Sequence, residues 1–281
     1  MSKNIAYVNN KFVNFLHATI HIEDRGLQFG DSVYEVIAFM NDNNFIDLDF
    51  HLERLKYSLK ELDIKFKYKK KELITIFKKI IHSNKFINGI IYMQITRGVQ
   101  NRSHAYKKNL KPTVIIYAKK TAFNTQKKIK GVNVITYEDY RWYRRDIKTT
   151  NLLPNILAEH EAHKKNAYTA ILLKKNKITE GCHSNIWIIK NKKIYTHPSN
   201  TDILKGVTKK RLIYIIEEFG LELIEKSFTL KKLLNSDEVF LTSASSFVTP
   251  IIKVDSKLIN KGKIGNITLR LSQLYYRSFR K

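Results

Sequence analysis

The chain has 281 residues, and 51 lysines and arginines against 25 aspartates and glutamates leave a formal charge of +26. Hydrophobic residues at 43% and aromatics at 11% are enough to bury the core of one large or two ordinary domains, which excludes a disordered chain. Ten glycines and four prolines exclude collagen-like and loop-dominated architectures, and a single cysteine, Cys182, excludes an internal disulfide framework or a multi-cysteine zinc site.

Residues 7–13 read as two short strands about an Asn9-Asn10 turn, because asparagine tolerates the positive φ such a turn needs. Residues 24–31 read as a polar, glycine-punctuated loop, and 32–39 alternate as a strand. Leu52, Leu55, Leu59 and Leu62 share one helical face; Leu73, Ile76, Phe77, Ile80 and Ile81 share another. Residues 90–96 and 113–118 read as buried strands. Residues 119–127 are polar without apolar periodicity, and mark the expected linker between an N-terminal domain (1–120) and a C-terminal domain (121–281). The second half opens with a strand at 132–137 and a helix at 154–165, where Pro154 in the first turn loses no hydrogen bond. Strands follow at 167–173, 186–189 and 193–196, and helices near 208–219, 229–235 and 267–279, with Gly220 closing the first of these. Strands and helices mix in both halves without regular alternation, which predicts an α+β fold rather than a doubly wound sheet.

A charge of +26 points to nucleic acid or an acidic membrane surface as partner. The lysines are spread out, however, and clusters such as 69–71 and 209–211 fall in amphipathic helices, as solvated faces do. No zinc finger, RRM aromatic motif or basic tail is visible, so no specific nucleic acid and no membrane is expected. A lone cysteine, no apolar leader and no apolar run near the ~20 residues of a bilayer span make the cytoplasm the expected setting.

No P-loop, G-x-G-x-x-G or G-x-S-x-G occurs, and His160 and His163 are three apart where a zinc helix needs four. Four polar segments beside apolar elements nevertheless carry reactive groups. Residues 141–155 put Lys148 between a strand and a helix onset, where desolvation would lower its pKa and make it a nucleophile. Residues 178–185 set Glu180 before Gly181 and small polar groups. Residues 204–208 enter a helix, and N–H groups at a helix start attract anions. Residues 51–55 carry Arg54, suited to clamp a phosphate. Taken singly, each has a plainer reading: a solvated lysine, a polar turn, a threonine N-cap, an exposed helical arginine.

The segments occur as an ordered set: D-R-G-x-Q-F-G-D-x-V-Y-E-V at 24–36, H-x-x-R-L at 51–55, D-I-K-x-x-N-L-L at 146–153, T-E-G-x-x-S-N at 179–185, T-H-P at 196–198, L-K-G-V-T at 204–208 and V-T-P at 248–250. In this order and spacing the chain resembles the fold-type IV (class IV) pyridoxal-phosphate enzymes, and among them the D-amino acid (D-alanine) aminotransferases, over nearly its whole length. The resemblance implies two mixed α/β domains, a pyridoxal 5'-phosphate site between them, and a homodimer. It makes Lys148 the Schiff-base lysine, carried by the C-terminal domain, whose freed amine moves the proton from the substrate α-carbon. Glu180 becomes the carboxylate beside the pyridine nitrogen, keeping the ring protonated as an electron sink. Arg54 and the backbone N–H groups of Val207 and Thr208 become the phosphate cradle.

A further phosphate contact is expected in 241–246, where Ala244 stands in place of the family's usual threonine, so that Ser243, Ser245 or backbone N–H groups substitute. Cys182 and His183 replace small serines and are expected to narrow the space near the ring. Arg102 and His104 resemble the carboxylate trap of the D-specific enzymes, acting with Tyr34 and reaching the site from the partner subunit. The implied reaction is D-alanine + 2-oxoglutarate to pyruvate + D-glutamate, with ping-pong kinetics, supplying D-amino acids for the bacterial cell wall. The alternatives are an L-branched-chain aminotransferase, an aminodeoxychorismate lyase of the same fold type, and a basic nucleic-acid-binding protein.

Overall fold

The computed structural model describes residues 4–123 and 130–279. The chain divides into two units: one formed by residues up to Phe123 together with Ile147–Asn151, the other by the remaining residues. The fold is α+β, with strands and helices mixed in each unit. The expected linker begins inside a strand that runs to Lys120, and residues 124–127 of it lie outside the described residues.

In the first unit, β1 (Ile5–Val8) and β2 (Lys11–Asn14) meet at Asn9 and Asn10, whose φ values of 47° and 68° are those the turn requires. Residues 25–29, expected as loop, form a short helix α1 (Arg25–Phe29). One turn is too short for apolar periodicity; its signals are at its ends, where Asp24 accepts from the Gly26 N–H at 2.8 Å and Gly30 turns left-handed at φ 64°. There follow β3 (Ser32–Met40), β4 (Asn44–Phe45), α2 (Leu48–Glu61), α3 (Lys70–Ser83), β5 (Gly89–Thr96) and β6 (Val114–Lys120).

Among the described residues these strands form one antiparallel sheet in the order β2-β1-β6-β5-β3-β4. Leu52, Leu55 and Leu59 of α2 and Leu73, Phe77, Ile80 and Ile81 of α3 share a core with Ile37, Phe39, Ile91, Met93 and Ile116 of the sheet. The alternation of a strand sends Tyr34, Tyr92 and Tyr117 to the opposite face, where their rings stack with centroids 5.7 and 5.0 Å apart. Ile147 lies in the same core and Thr149 bridges Val33, so the segment carrying Lys148 packs with the first unit rather than with the C-terminal half to which sequence order assigned it.

Glu35 projects from β3 into the helix-covered side, fully buried. Its Oε1 accepts from Arg54 Nε at 2.9 Å and its Oε2 from Arg54 Nη2 at 2.7 Å, while His51 Nδ1 lies 2.7 Å from Oε2. Burial pushes this carboxyl up, but Arg54 and His51 outweigh burial and hold it at about 2. Burial lowers His51, which is neutral near pH 7.

The second unit runs β7 (Val132–Glu138), α4 (Leu153–Lys164), β8 (Ala170–Lys174), β9 (Lys177–Gly181), β10 (Asn185–Lys190), β11 (Lys193–Thr196), α5 (Val207–Glu218), β12 (Leu223–Glu225), α6 (Leu230–Leu234), β13 (Glu238–Ser243), β14 (Phe247–Val254), β15 (Lys257–Leu258) and α7 (Asn266–Ser278). Its sheet is mixed, in the order β12-β11-β10-β13-β14-β7-β8-β9 with β15 on β14; the pairs β11–β12, β14–β7 and β7–β8 are parallel. Ile171, Ile178, Ile186, Ile188, Val239, Leu241 and Ile251 form its core.

Lys209, expected on a solvated helix face, is instead 1% exposed: its Nζ donates to the His197 carbonyl, to Ser199 Oγ and to Glu225 Oε1 at 2.5, 3.0 and 2.8 Å. No helix among the described residues is long and apolar enough to cross a membrane.

The Glu35 cluster sets an acid dependence. A carboxyl lowered on folding contributes stability above its unfolded pKa, about 4.3, that is lost as pH falls toward the folded value. A lowered histidine acts with the same sign, starting from about 6.5. The urea midpoint of the wild type should fall steadily from pH 7 to pH 3. In Glu35→Gln it should start lower and fall less steeply; parallel curves would show that the cluster does not carry this dependence.

Candidate active site

Lys148 is gripped through its backbone on both sides. Its N–H donates to Ser58 Oγ at 3.2 Å, and its carbonyl accepts from the Tyr34 N–H at 3.0 Å. Ile147 and Thr149, on either side of it in the chain, are buried, and the Lys148 side chain brings its Nζ to 4.1 Å from the centre of the Tyr34 ring. The lysine therefore has a fixed root and an aromatic face beside its tip. Arg54 is buried, not exposed, and Glu35 fixes the plane of its guanidinium by a two-point grip. Arg102 and His104 lie on an exposed loop after β5 and meet on one ring: the Arg102 guanidinium stands 4.6 Å from the centre of Phe29, and the His104 ring 5.5 Å. Tyr34 packs against Tyr92 and Lys148.

In the second unit Glu180 sits on β9, 3% exposed, in a strand where a polar turn was expected. The Leu204 N–H donates to both carboxylate oxygens at 3.0 and 3.1 Å, Asn185 Nδ2 donates to Oε2 at 3.1 Å, and Arg141 Nη1 donates to Oε1. Burial pushes the Glu180 carboxyl up, against the pull of Arg141 and of the Leu204 N–H. Arg141, itself held charged by Glu180 and Asp139, supplies a counter-charge that offsets part of the cost of burying this carboxyl. Asp139 accepts from Arg141 Nε and Nη2 at 2.9 and 2.8 Å and from Thr179 Oγ1 at 2.7 Å. Asp139 and Arg141 are functional neighbours that motif spacing alone did not mark. The run of arginines ahead of Lys148 was a signal that acids elsewhere had to meet them.

The start of α5 is built for an anion. Gly206 offers no side-chain cap, and the N–H groups of the first turn, Val207 and Thr208 included, have no acceptor within the helix. Thr208 Oγ1 is buried with no hydrogen-bond partner. Asn185 ties this end to Glu180: besides the carboxylate it donates to the Leu204 carbonyl at 3.0 Å. A Cβ on Gly206 would lie 1.9 Å from Asn185 Oδ1, so only glycine leaves that amide in place.

The turn after β13 contributes less side chain than expected. Ser243 Oγ pairs with Ser246 Oγ at 2.6 Å and accepts the Ser246 N–H at 3.1 Å, Ala244 has no hydroxyl and Ser245 is exposed. Cys182 does not narrow the space beside Glu180. Its side chain belongs to the small core of Ile135, Ala158, Ala162, Ala170 and Leu172, where burial pushes the thiol up to about 12. His183 is exposed, 3.8 Å from Glu159.

Residues 32–254 match the family described as amino-transferase class IV. The D-alanine aminotransferases of Listeria monocytogenes (serotype 4b, strain F2365) and Staphylococcus aureus (strain MSSA476) are 40% and 39% identical to this chain. The matches cover 95% of this chain in each case, and 93% and 95% of theirs. A branched-chain amino acid aminotransferase of T.th., solved with pyridoxamine 5'-phosphate, superposes with a TM-score of 0.89 at 25% identity, over 99% of this chain and 94% of that one. The branched-chain aminotransferase of Thermoproteus uzoniensis with norvaline superposes with a TM-score of 0.85 at 26% identity, over 98% and 94%. Motif order, fold and family match agree, and the chain belongs to the class IV aminotransferases.

Proposed function

We propose that this enzyme transfers the amino group of D-alanine to 2-oxoglutarate, giving pyruvate and D-glutamate, as a pyridoxal-phosphate-dependent homodimer of the cytoplasm. The observation that carries the reading is the pairing, through Asn185, of a buried carboxylate with an uncapped helix start holding an unpartnered threonine hydroxyl. Those groups fit a ligand that is cationic at one end and a phosphate at the other. D-Alanine is favoured over a branched-chain L-amino acid because relatives named for D-alanine stand at 39–40% identity, against 25–26% for the branched-chain enzymes.

Pyridoxal phosphate, when bound, supplies an aldehyde that takes up the amino group and a ring that takes up electron density. Lys148 is the residue that would hold it, and its free amine would move the proton at the substrate α-carbon. The clamped backbone of Lys148 restricts this motion to the side chain. Glu180 would supply the acid side chain for the ring's nitrogen, with Arg141 as its counter-charge. Arg54, the N–H groups of Val207 and Thr208, and the turn of Ser243, Ala244 and Ser245 hold the phosphate. Arg102 and His104, contributed by the partner subunit, and Tyr34 bind the substrate carboxylate. Where that carboxylate is held decides which face presents its α-hydrogen to Lys148.

The purified enzyme should be yellow; borohydride should remove the colour and fix the cofactor's mass on the peptide carrying Lys148. Lys148→Ala should lack the band and lose about 10²–10⁴-fold in rate. A protein colourless even with added pyridoxal phosphate refutes the reading. With 2-oxoglutarate as acceptor, D-alanine should turn over faster than L-leucine, and the reverse order would overturn the D assignment. Thr208→Val should weaken pyridoxal phosphate binding about tenfold or more, the loss of a hydrogen bond to a charged group, and leave binding of phosphate-free pyridoxal unchanged. Equal losses for both would remove Thr208 from the phosphate cradle.

A further inference from the structure

The second residue of the D-R-G motif is an arginine, Arg25, to which transamination as described above gives no task. Arg25 is nevertheless 4% exposed, and its guanidinium directs three donors to three different acceptors. Nε donates to Asp31 Oδ2 at 2.8 Å, Nη1 to the Ser103 carbonyl at 2.6 Å and Nη2 to the His104 carbonyl at 3.2 Å. Its own backbone N–H donates to the Gly98 carbonyl at 3.0 Å, and Asp24 beside it bridges Val99. The helix turn α1 is thus tied to both the root and the middle of the loop that carries Arg102 and His104.

The surroundings reinforce this grip. Asp31 is shared with Arg97, which donates Nε and Nη2 to it at 2.7 and 3.0 Å and is anchored in turn by the Leu62 and Asp63 carbonyls at 2.6 and 3.2 Å. The Arg97 guanidinium lies 3.6 Å from the centre of the Tyr106 ring, at the far side of the loop. Gln100 braces the loop from within, donating to the Ala105 carbonyl at 2.9 Å and accepting the Lys107 N–H at 2.8 Å. Phe29, one helical turn from Arg25, is the ring on which Arg102 and His104 both rest, and the Arg25 guanidinium is 4.8 Å from the same ring.

The loop is otherwise exposed from residue 101 to 109 and buries no apolar side chain there, so its order comes from these polar and aromatic ties. We infer that Arg25 is a positioning residue for substrate carboxylate recognition: it holds the 100–106 loop so that Arg102 and His104 stand on Phe29 as a preformed anion-binding pair. The inference rests on the reading of Arg102 and His104 as the carboxylate-binding pair. A preformed pair binds without the ordering entropy of the loop at each turnover. A carboxylate that keeps its charge throughout the reaction is held equally in ground and transition states, so loosening its holder raises KM and spares kcat. Lysine cannot substitute, because a single ammonium lacks the fork that reaches Asp31 and two carbonyls together.

The test uses the holoenzyme of the wild type, Arg25→Gln, Arg25→Lys and Arg102→Ala. In both Arg25 variants the KM for D-alanine should rise about tenfold or more, the scale of losing charge-assisted hydrogen bonds, with kcat within about threefold. The apoenzyme's affinity for pyridoxal phosphate should not change, and amide hydrogen exchange should accelerate in 100–106 while the α2 and α3 segments keep wild-type protection. Wild-type KM and wild-type exchange in Arg25→Lys would overturn the inference. So would a rise in KM matched by an equal loss of cofactor affinity, which would mark Arg25 as a general scaffold residue. If Arg102→Ala itself leaves KM unchanged, the carboxylate reading falls and takes the inference with it; if Arg102→Ala raises KM and the Arg25 variants do not, only the inference falls.

Discussion

A carboxylate is taken out of water only where hydrogen-bond donors close around it, and in this cation-rich chain three buried acids, Glu35, Asp139 and Glu180, and the partly buried Asp31 each meet an arginine in that way. Glu35 holds Arg54 and His51; Asp31 holds Arg25 and Arg97; Asp139 holds Arg141 and Arg145; Glu180 holds Arg141. Removing one partner of such a cluster strands a charge in a low-dielectric interior, so these pairs act as fixed points more than as sources of net stability. The candidate functional groups are arranged around them. Arg54 is aimed by Glu35, Glu180 is paired with Arg141, and the Arg102–His104 loop is tied by Arg25. The excess of lysine is a property of the solvated surface, while the buried arginines and their acids organise the chemistry.

Local patterns made much of the architecture legible. The leucines of α2 and the apolar positions of α3 announced two amphipathic helices, and both supply the core of the first unit. The Asn9-Asn10 turn was readable because its backbone needs positive φ. The helix turn α1 was not, since five residues cannot display a period; nor was β9, whose Thr179 and Glu180 are polar yet buried because partners from distant segments satisfy them. Lys209 shows the same limit: nothing in the run of three cations at 209–211 tells that Glu225 and the His197 carbonyl will draw one of them inside.

The candidate site was legible as an ordered set of motifs and hardly at all as single residues. Lys148 in isolation is one lysine among many, and Glu180 one acid in a polar stretch. The residues that orient them were hidden for a physical reason: their bonds span 39 residues from Arg141 to Glu180, and 78 and 79 from Arg25 to Ser103 and His104. Sequence order also misplaced Lys148. Its segment follows β7 along the chain, but Ile147 and Thr149 belong to the packing of β3 and α2, so the lysine is presented by the first unit's scaffold.

The sole sulfhydryl of the chain lies under α4 among small alanines, and burial keeps it in the protonated, unreactive form. The folded enzyme therefore offers oxidants and electrophiles no thiolate. Two copies have no route to a covalent crosslink through sulfur, and the buried carboxylate two positions away on β9 is insulated from the redox state of its surroundings.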